Sequence, residues 1–186
     1  MGKFILGVIV GMVLLPGMVV LYLVSGYAPV AATDAPFPFE ETIAKKALHA
    51  KVAREMPKSA PKPADENTLA AGARVYRDNC AVCHGLSNQP EPIIAKGMFP
   101  HAPQLLMKDD MVTDDPPGET FWKAKNGIRL TGMPGFGAAL SDDQLWQVSQ
   151  LLADADKLPP SVQQALAAPA PPATAPASQP PDHKAK

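Results

Sequence analysis

The chain has 186 residues, 22 of them proline, with aromatics at 6 % and a formal net charge of −1 at pH 7. That length holds one ordinary domain with extensions, and so much proline with so few aromatics excludes a packed core throughout. No basic patch stands out, which excludes nucleic acid as an expected partner.

Residues 4–24, FILGVIVGMVLLPGMVVLYLV, form a run of 21 without a charge. As a helix this run is about 31 Å long, enough to cross a hydrocarbon core of ~30 Å. Lys3 and the amino terminus precede it, while Asp34, Glu40 and Glu41 follow. Positive-inside orientation therefore exports everything beyond residue 25. A cleaved signal peptide ending near VAA at 30–32 is the competing reading, but signal apolar regions are usually shorter, about 7–15 residues. Residues 1–26 are expected to be a retained anchor or an uncleaved signal. Gly7 and Gly11 form a GxxxG pair suited to a second membrane helix, although glycine is common in such spans.

Residues 27–65 read as a spacer. EETIAKKALHAKVAREM at 40–56 has good helix formers, acids first and Pro57 as a stop. PKSAPKPAD at 57–65 reads as an extended, semi-rigid linker.

A compact domain is expected over 66–158. ENTLAAGARVYRDN at 66–79 puts Leu69, Gly72, Ala73 and Tyr76 on one helical face. Pro116 and Pro117 open a second helix that stops at Gly127. A third begins at Ser141, with Gln144 completing a capping box and Leu140 with Leu145 a staple. Leu145, Val148, Leu152 and Ala155 carry its stripe to about Lys157, with Trp146 and Ser149 beside it. No strand is evident. From Pro159 the chain holds eight prolines in 159–181 and no large aliphatic beyond Leu166, so 159–186 is expected to be disordered.

Three short helices make a small core, which usually needs a staple. The only cysteines, Cys80 and Cys83, lie in NCAVCHG with His84 adjacent. A disulfide across so few residues would constrain little of the unfolded chain. A redox dithiol wants its CxxC at a helix N-terminus within a βαβ pattern, whereas Cys80 follows a helix. Structural zinc wants four ligands, and only three are at hand. Covalent haem suits the spacing directly: two thiols add across two porphyrin vinyl groups, and the next histidine reaches the iron. A second axial ligand could come from Met98, Met107, Met111, Met133 or His101, with His49 and His183 outside the domain. Met133 sits in the Gly/Pro-flanked loop TGMPGFG, between two expected helices. Met98, Met107 and Met111 equally suit packing as flexible gap-fillers.

From about Arg74 to Leu152 the chain resembles a class I c-type cytochrome. The motifs, in order, are GARVYRDNCAVCHG, a Pro–x–Leu segment, FWKAKNGIRLTGMPGFG and LSDDQLWQVSQLL. The nearer likeness is to bacterial membrane-anchored monohaem cytochromes of the periplasm. The resemblance implies an all-α class I cytochrome c fold, three to five helices around a covalent haem, after one N-terminal transmembrane helix. It implies one haem c on Cys80 and Cys83, with His84 and Met133 as axial iron ligands. Pro103 would supply a carbonyl to the His84 imidazole. Leu105, Trp122, Ile128, Pro134 and Phe136 would line the pocket. Gly72 and Tyr76 would sit where the first and last domain helices cross, near Trp146 and Val148.

The function so implied is a one-electron carrier of a respiratory chain rather than an enzyme, single-pass in the inner membrane with its haem domain in the periplasm. Its donor would be a quinol-oxidising complex or dehydrogenase, and its acceptor a terminal oxidase or reductase. A fixed haem subunit of a larger membrane oxidoreductase is the alternative, and a haem peroxidase or gas sensor that releases Met133 is a third. The domain carries 8 basic and 12 acidic residues, a net of −4, much of it in DDMVTDDPPGE at 109–119.

Overall fold

The computed structural model describes residues 1–87 and 89–167. Among them every regular element is a helix. The chain divides into two compact units, Met1–Ala47 and a second from Leu48 on.

The first unit is dominated by α1 (Gly2–Val24), whose most apolar window has a mean hydropathy of 2.7. Length and composition suffice for a membrane span. At its end the Ser25 hydroxyl donates to the Tyr22 carbonyl at 2.7 Å, and Tyr22 meets Phe37 edge-on, 6.1 Å between ring centres. The Asp34 carboxylate accepts the N–H groups of Val30 and Ala31, so this Pro/Ala-rich stretch forms a turn. Glu40 accepts the Phe37 N–H at 2.8 Å as it opens α2 (Glu40–Glu55).

The boundary between the units falls inside α2, and this corrects the expected organisation. Val52 is buried, so the end of this helix belongs to the domain. The segment 57–65 likewise is no free linker. The Pro57 carbonyl rests against Gly118, Ala60 packs beside Phe121 and Trp146, and the Lys62 carbonyl accepts the Gln150 amide at 2.6 Å. Proline-rich extended backbone leaves its carbonyls unpaired, and here the Gln150 amide takes up that of Lys62.

The domain is built on α3 (Glu66–Asn79), α6 (Pro117–Asn126) and α7 (Asp142–Ala153). Asp65 caps α3, its carboxylate accepting the Thr68 N–H at 2.7 Å. The capping box at Ser141 is present, with the Ser141 N–H 2.9 Å from Gln144 Oε1 and the Gln144 N–H 3.3 Å from Ser141 Oγ. Helix α7 ends at Ala153, short of the expected Lys157. Helices α3 and α7 cross at Gly72. A Cβ built there would lie 2.3 Å from the Gln147 carbonyl oxygen, so only glycine permits this approach. Tyr76, Val148, Leu151 and Leu152 form the centre of the larger apolar cluster. Phe121 stacks on Trp146 at 4.3 Å in a smaller one, which also holds Leu145 and has Leu140 packed against it.

Two short helices escaped the sequence reading, α4 (Ala81–His84) and α5 (Ile93–Lys96). A third, α8 (Pro160–Ala167), overturns part of the expected disorder of 159–186. Val162 and Leu166, four apart, are buried against the core, and the Ala165 carbonyl accepts from Arg77 at 2.9 Å. Ser161 also donates to Glu66. Two apolar anchors at helical spacing, with Pro160 opening the helix, suffice despite the surrounding prolines. Residues 168–186, the rest of that expectation, lie outside the described residues.

Candidate haem centre

The CxxCH segment is a single tight turn. Helix α3 ends at Asn79 with Cys80 as its C-cap, and the Cys80 carbonyl accepts the N–H groups of Cys83 at 3.1 Å and His84 at 2.9 Å. Gly85 then turns the chain away at φ 68°, a conformation that favours glycine. Two side chains lock this turn. The buried Tyr76 hydroxyl lies 2.9 Å from the Gly85 carbonyl and 3.1 Å from that of His84, sharing its proton between them. Burial holds the Tyr76 phenol above its ordinary range, with a smaller push from Cys80, so it stays a donor. Gln104 donates its amide to the Cys83 carbonyl at 3.2 Å and to the Ala102 carbonyl at 3.0 Å.

His84 Nδ1 lies 2.7 Å from the Pro103 carbonyl oxygen. A carbonyl only accepts, so Nδ1 carries the proton and Nε2 keeps its lone pair free for a metal. Burial lowers the His84 pKa, and the bond to Pro103 partly opposes this. The neutral tautomer with a free Nε2 is the form an iron needs.

The cysteines are not bonded to each other. Burial, then the neighbouring Cys83, pushes the Cys80 thiol up to about 12. A redox dithiol lowers its nucleophile's pKa, so this arrangement argues against thiol exchange. No cluster of three or more His, Cys, Asp or Glu suited to a metal ion occurs among the described residues, which argues against structural zinc.

Met133 belongs to a second constellation at the end of α6. Gly127 takes φ 69°, and a Cβ there would strike the Gly135 nitrogen at 2.5 Å and the Met133 carbonyl at 2.9 Å. The returning chain satisfies the last carbonyls of α6: Phe136 donates to Ala124 at 2.9 Å and Gly137 to Lys125 at 3.0 Å. The Ile128 N–H meets the Met133 carbonyl at 3.1 Å, and the Met133 N–H meets Thr131 Oγ1 at 3.1 Å. Met133 is thus held at both ends of its peptide backbone. The Met98 methyl crowds Gly132, so the segment leading to Pro103 touches this loop.

The structure therefore gathers Cys80, Cys83, His84 and Pro103 into one unit, and Met133, Pro134 and Ile128 into another. Leu105 is half-buried against the larger core cluster, as are Cys80 and Leu86. Phe136 packs against the smaller cluster of Phe121, Ala124, Leu145 and Trp146. Trp122 is half-buried, and its indole contributes, after Lys51 and Arg54, to holding the Glu55 carboxyl below its ordinary range. Its ring edge thus serves α2. His101, the rival ligand, is exposed and paired with Glu91. His49 is exposed, and His183 lies outside the described residues.

Residues 67–152 match the family model described as cytochrome c oxidase, cbb3-type, subunit III. This segment is a c-type cytochrome domain. No match to the chain is found among curated proteins. A cytochrome domain of this kind carries covalent haem c with its iron, and the residues present fit the group. Two unbridged cysteines, an imidazole with a free Nε2 and a thioether on a pinned loop are the donor set that haem c uses. The sequence had not disclosed the roles of Tyr76 and Gln104 in holding the cytochrome motif. The signal for Tyr76 was its placement on a core face, since a buried phenol needs a partner.

Proposed function

We propose that the protein is a one-electron carrier of a respiratory chain, tethered by α1 to the inner membrane with its cytochrome domain in the periplasm. Cys80 and Cys83 would hold haem c by thioethers, and His84 Nε2 and Met133 Sδ would bind its iron. The observation that carries this reading is the locked CxxCH turn, with the His84 Nδ1–H committed to Pro103 and Nε2 free. Haem c supplies a reversible ferric/ferrous couple when bound.

The remaining work belongs to the chain. Pro103 orients the imidazole, and Tyr76 and Gln104 hold the turn that carries both cysteines. The Thr131–Met133 and Ile128–Met133 bonds fix the backbone that carries the Met133 thioether. Leu105, Ile128 and Pro134 exclude water, with Trp122 and Phe136 supporting from behind. A methionine opposite histidine raises the potential, which suits a carrier feeding a terminal oxidase or reductase. A quinol-oxidising complex or dehydrogenase is the matching donor. Replacing Met133 by alanine tests the ligand set: the low-spin spectrum should give way to a high-spin or newly ligated form. Retention of the original spectrum would contradict the assignment.

A second reading has support of its own. The matched family is described as an oxidase subunit. Packing of 57–65 onto the domain also shortens the tether available for swinging. In that reading the chain is a fixed haem subunit of a membrane oxidoreductase. Purification in mild detergent separates the two: stoichiometric co-purification with other redox subunits supports it, and a lone monomer opposes it.

A further inference from the structure

The Pro103 carbonyl that accepts the His84 proton belongs to the same peptide as the Gln104 N–H. That N–H is bonded too: it donates to Asp110 Oδ2 at 2.9 Å. One amide thus joins a carboxylate on one side to the imidazole on the other, in the order Asp110, Gln104 N–H, Pro103 C=O, His84 Nδ1–H. Each end is short, and the carboxylate end is charge-assisted.

The geometry points to Asp110 as a positioning residue that tunes the His84 ligand through this single peptide. The inference rests on the haem reading above. A carboxylate accepting from an amide N–H pulls that group's proton and leaves its carbonyl oxygen more negative. The carbonyl then draws harder on the Nδ1–H, and Nε2 becomes a stronger donor to iron. A stronger donor favours the ferric state and so lowers the potential. The same bond fixes the peptide plane, and hence the direction in which the carbonyl meets the ring. Asp110 reaches Gln104 across a turn closed by the Met107 N–H to the Gln104 carbonyl at 2.8 Å and the Asp110 N–H to the Met107 carbonyl at 2.9 Å. The neighbouring Asp109 carries the same charge and takes no part in this chain of bonds.

That difference supplies the test. Asp110→Ala and Asp109→Ala are made in the full chain, and each holoprotein is titrated for its midpoint potential. Cooperative strengthening of about 10–30 % per bond sets the scale at about a threefold fall in the ferric-to-ferrous ratio at fixed poise. That corresponds to an upward shift of about 28 mV for one electron. In the ferrous state the His84 Nδ1–H proton resonance should move upfield in Asp110→Ala and stay in place in Asp109→Ala. Equal potential shifts in both variants, with that resonance unmoved, would overturn the proposal and reduce Asp110 to a surface charge. Asp110→Asn keeps an oxygen for the Gln104 N–H and covers failure of the alanine variant to fold. It should show smaller shifts of the same sign, and none would overturn the proposal. Mass analysis of the wild type distinguishes failure of the underlying reading: without covalent haem, that reading fails and this proposal falls with it.

Discussion

Gly72→Ala tests whether the crossing of α3 and α7 is as tight as the backbone indicates. On an exposed helix the change would stabilise by about 1 kcal/mol, because alanine is the better helix former. Here the new methyl would lie 2.3 Å from the Gln147 carbonyl oxygen, 2.7 Å from its carbon and 3.1 Å from Leu151 Cβ. Two of those atoms are backbone, so no rotamer change relieves the clash and the helices must part. Overpacking of this kind costs about 1–3 kcal/mol, and backbone contact argues for the upper end. The steric cost wins, leaving a net destabilisation of about 1–2 kcal/mol. For a domain of this size each kcal/mol lowers Tm by about 4–8 °C, so the midpoint should fall by about 4–16 °C. Urea unfolding followed by circular dichroism reads the free energy, and haem absorbance in the same samples reports whether α3 still delivers Cys80. An unchanged or raised midpoint would show that the helices sit further apart, and the reasoning would fail.

Three further outcomes follow from the packing. Tyr76→Phe keeps the ring but leaves the buried Gly85 carbonyl without its donor, costing about 1–3 kcal/mol in urea unfolding; amide exchange at His84 and Gly85 should accelerate. Leu166→Ala should cost about 2 kcal/mol, the low end for a buried leucine because α8 is short, whereas no change in the urea midpoint would return 160–167 to a disordered tail. Burial, then Glu119, raises the Asp115 pKa, against the opposing pull of Lys123. Its folded value lies above the unfolded one, so the folded state binds more protons between the two and loses stability as pH rises through that window. Asp115→Asn should therefore be the more stable protein at pH 7, with the gain vanishing below about pH 3.9, as thermal melts across pH can show.

Much of the domain was legible because local rules and tertiary packing agreed. Leu69, Gly72, Ala73 and Tyr76 announced the buried face of α3, Ser141 and Gln144 the start of α7, and Gly127 the end of α6. The His84–Pro103 bond followed from a family resemblance and appears in the geometry at 2.7 Å. Helix α8 hides in a Pro/Ala-rich stretch whose overall composition masks Val162 and Leu166. The docking of 57–65 was hidden because it rests on carbonyls meeting Gly118 and Gln150, and backbone acceptors leave no mark in side-chain pattern. Gln104 and Asp110 lie in irregular chain, where no periodicity says which groups will meet. Phe136 has an apolar character that suits a haem pocket and a protein core equally, and only packing shows that it sits beside Phe121 and Trp146.

Intact mass and peptide mapping of the exported protein, read together with its ferric absorption spectrum, show whether Cys80, Cys83, His84 and Met133 hold one redox-active haem c. The expected result is one haem added covalently on the peptide containing Cys80 and Cys83, with the weak sulfur-to-iron band of a methionine-ligated ferric haem. An unmodified mass, or a haem mapped to any other peptide, would contradict it.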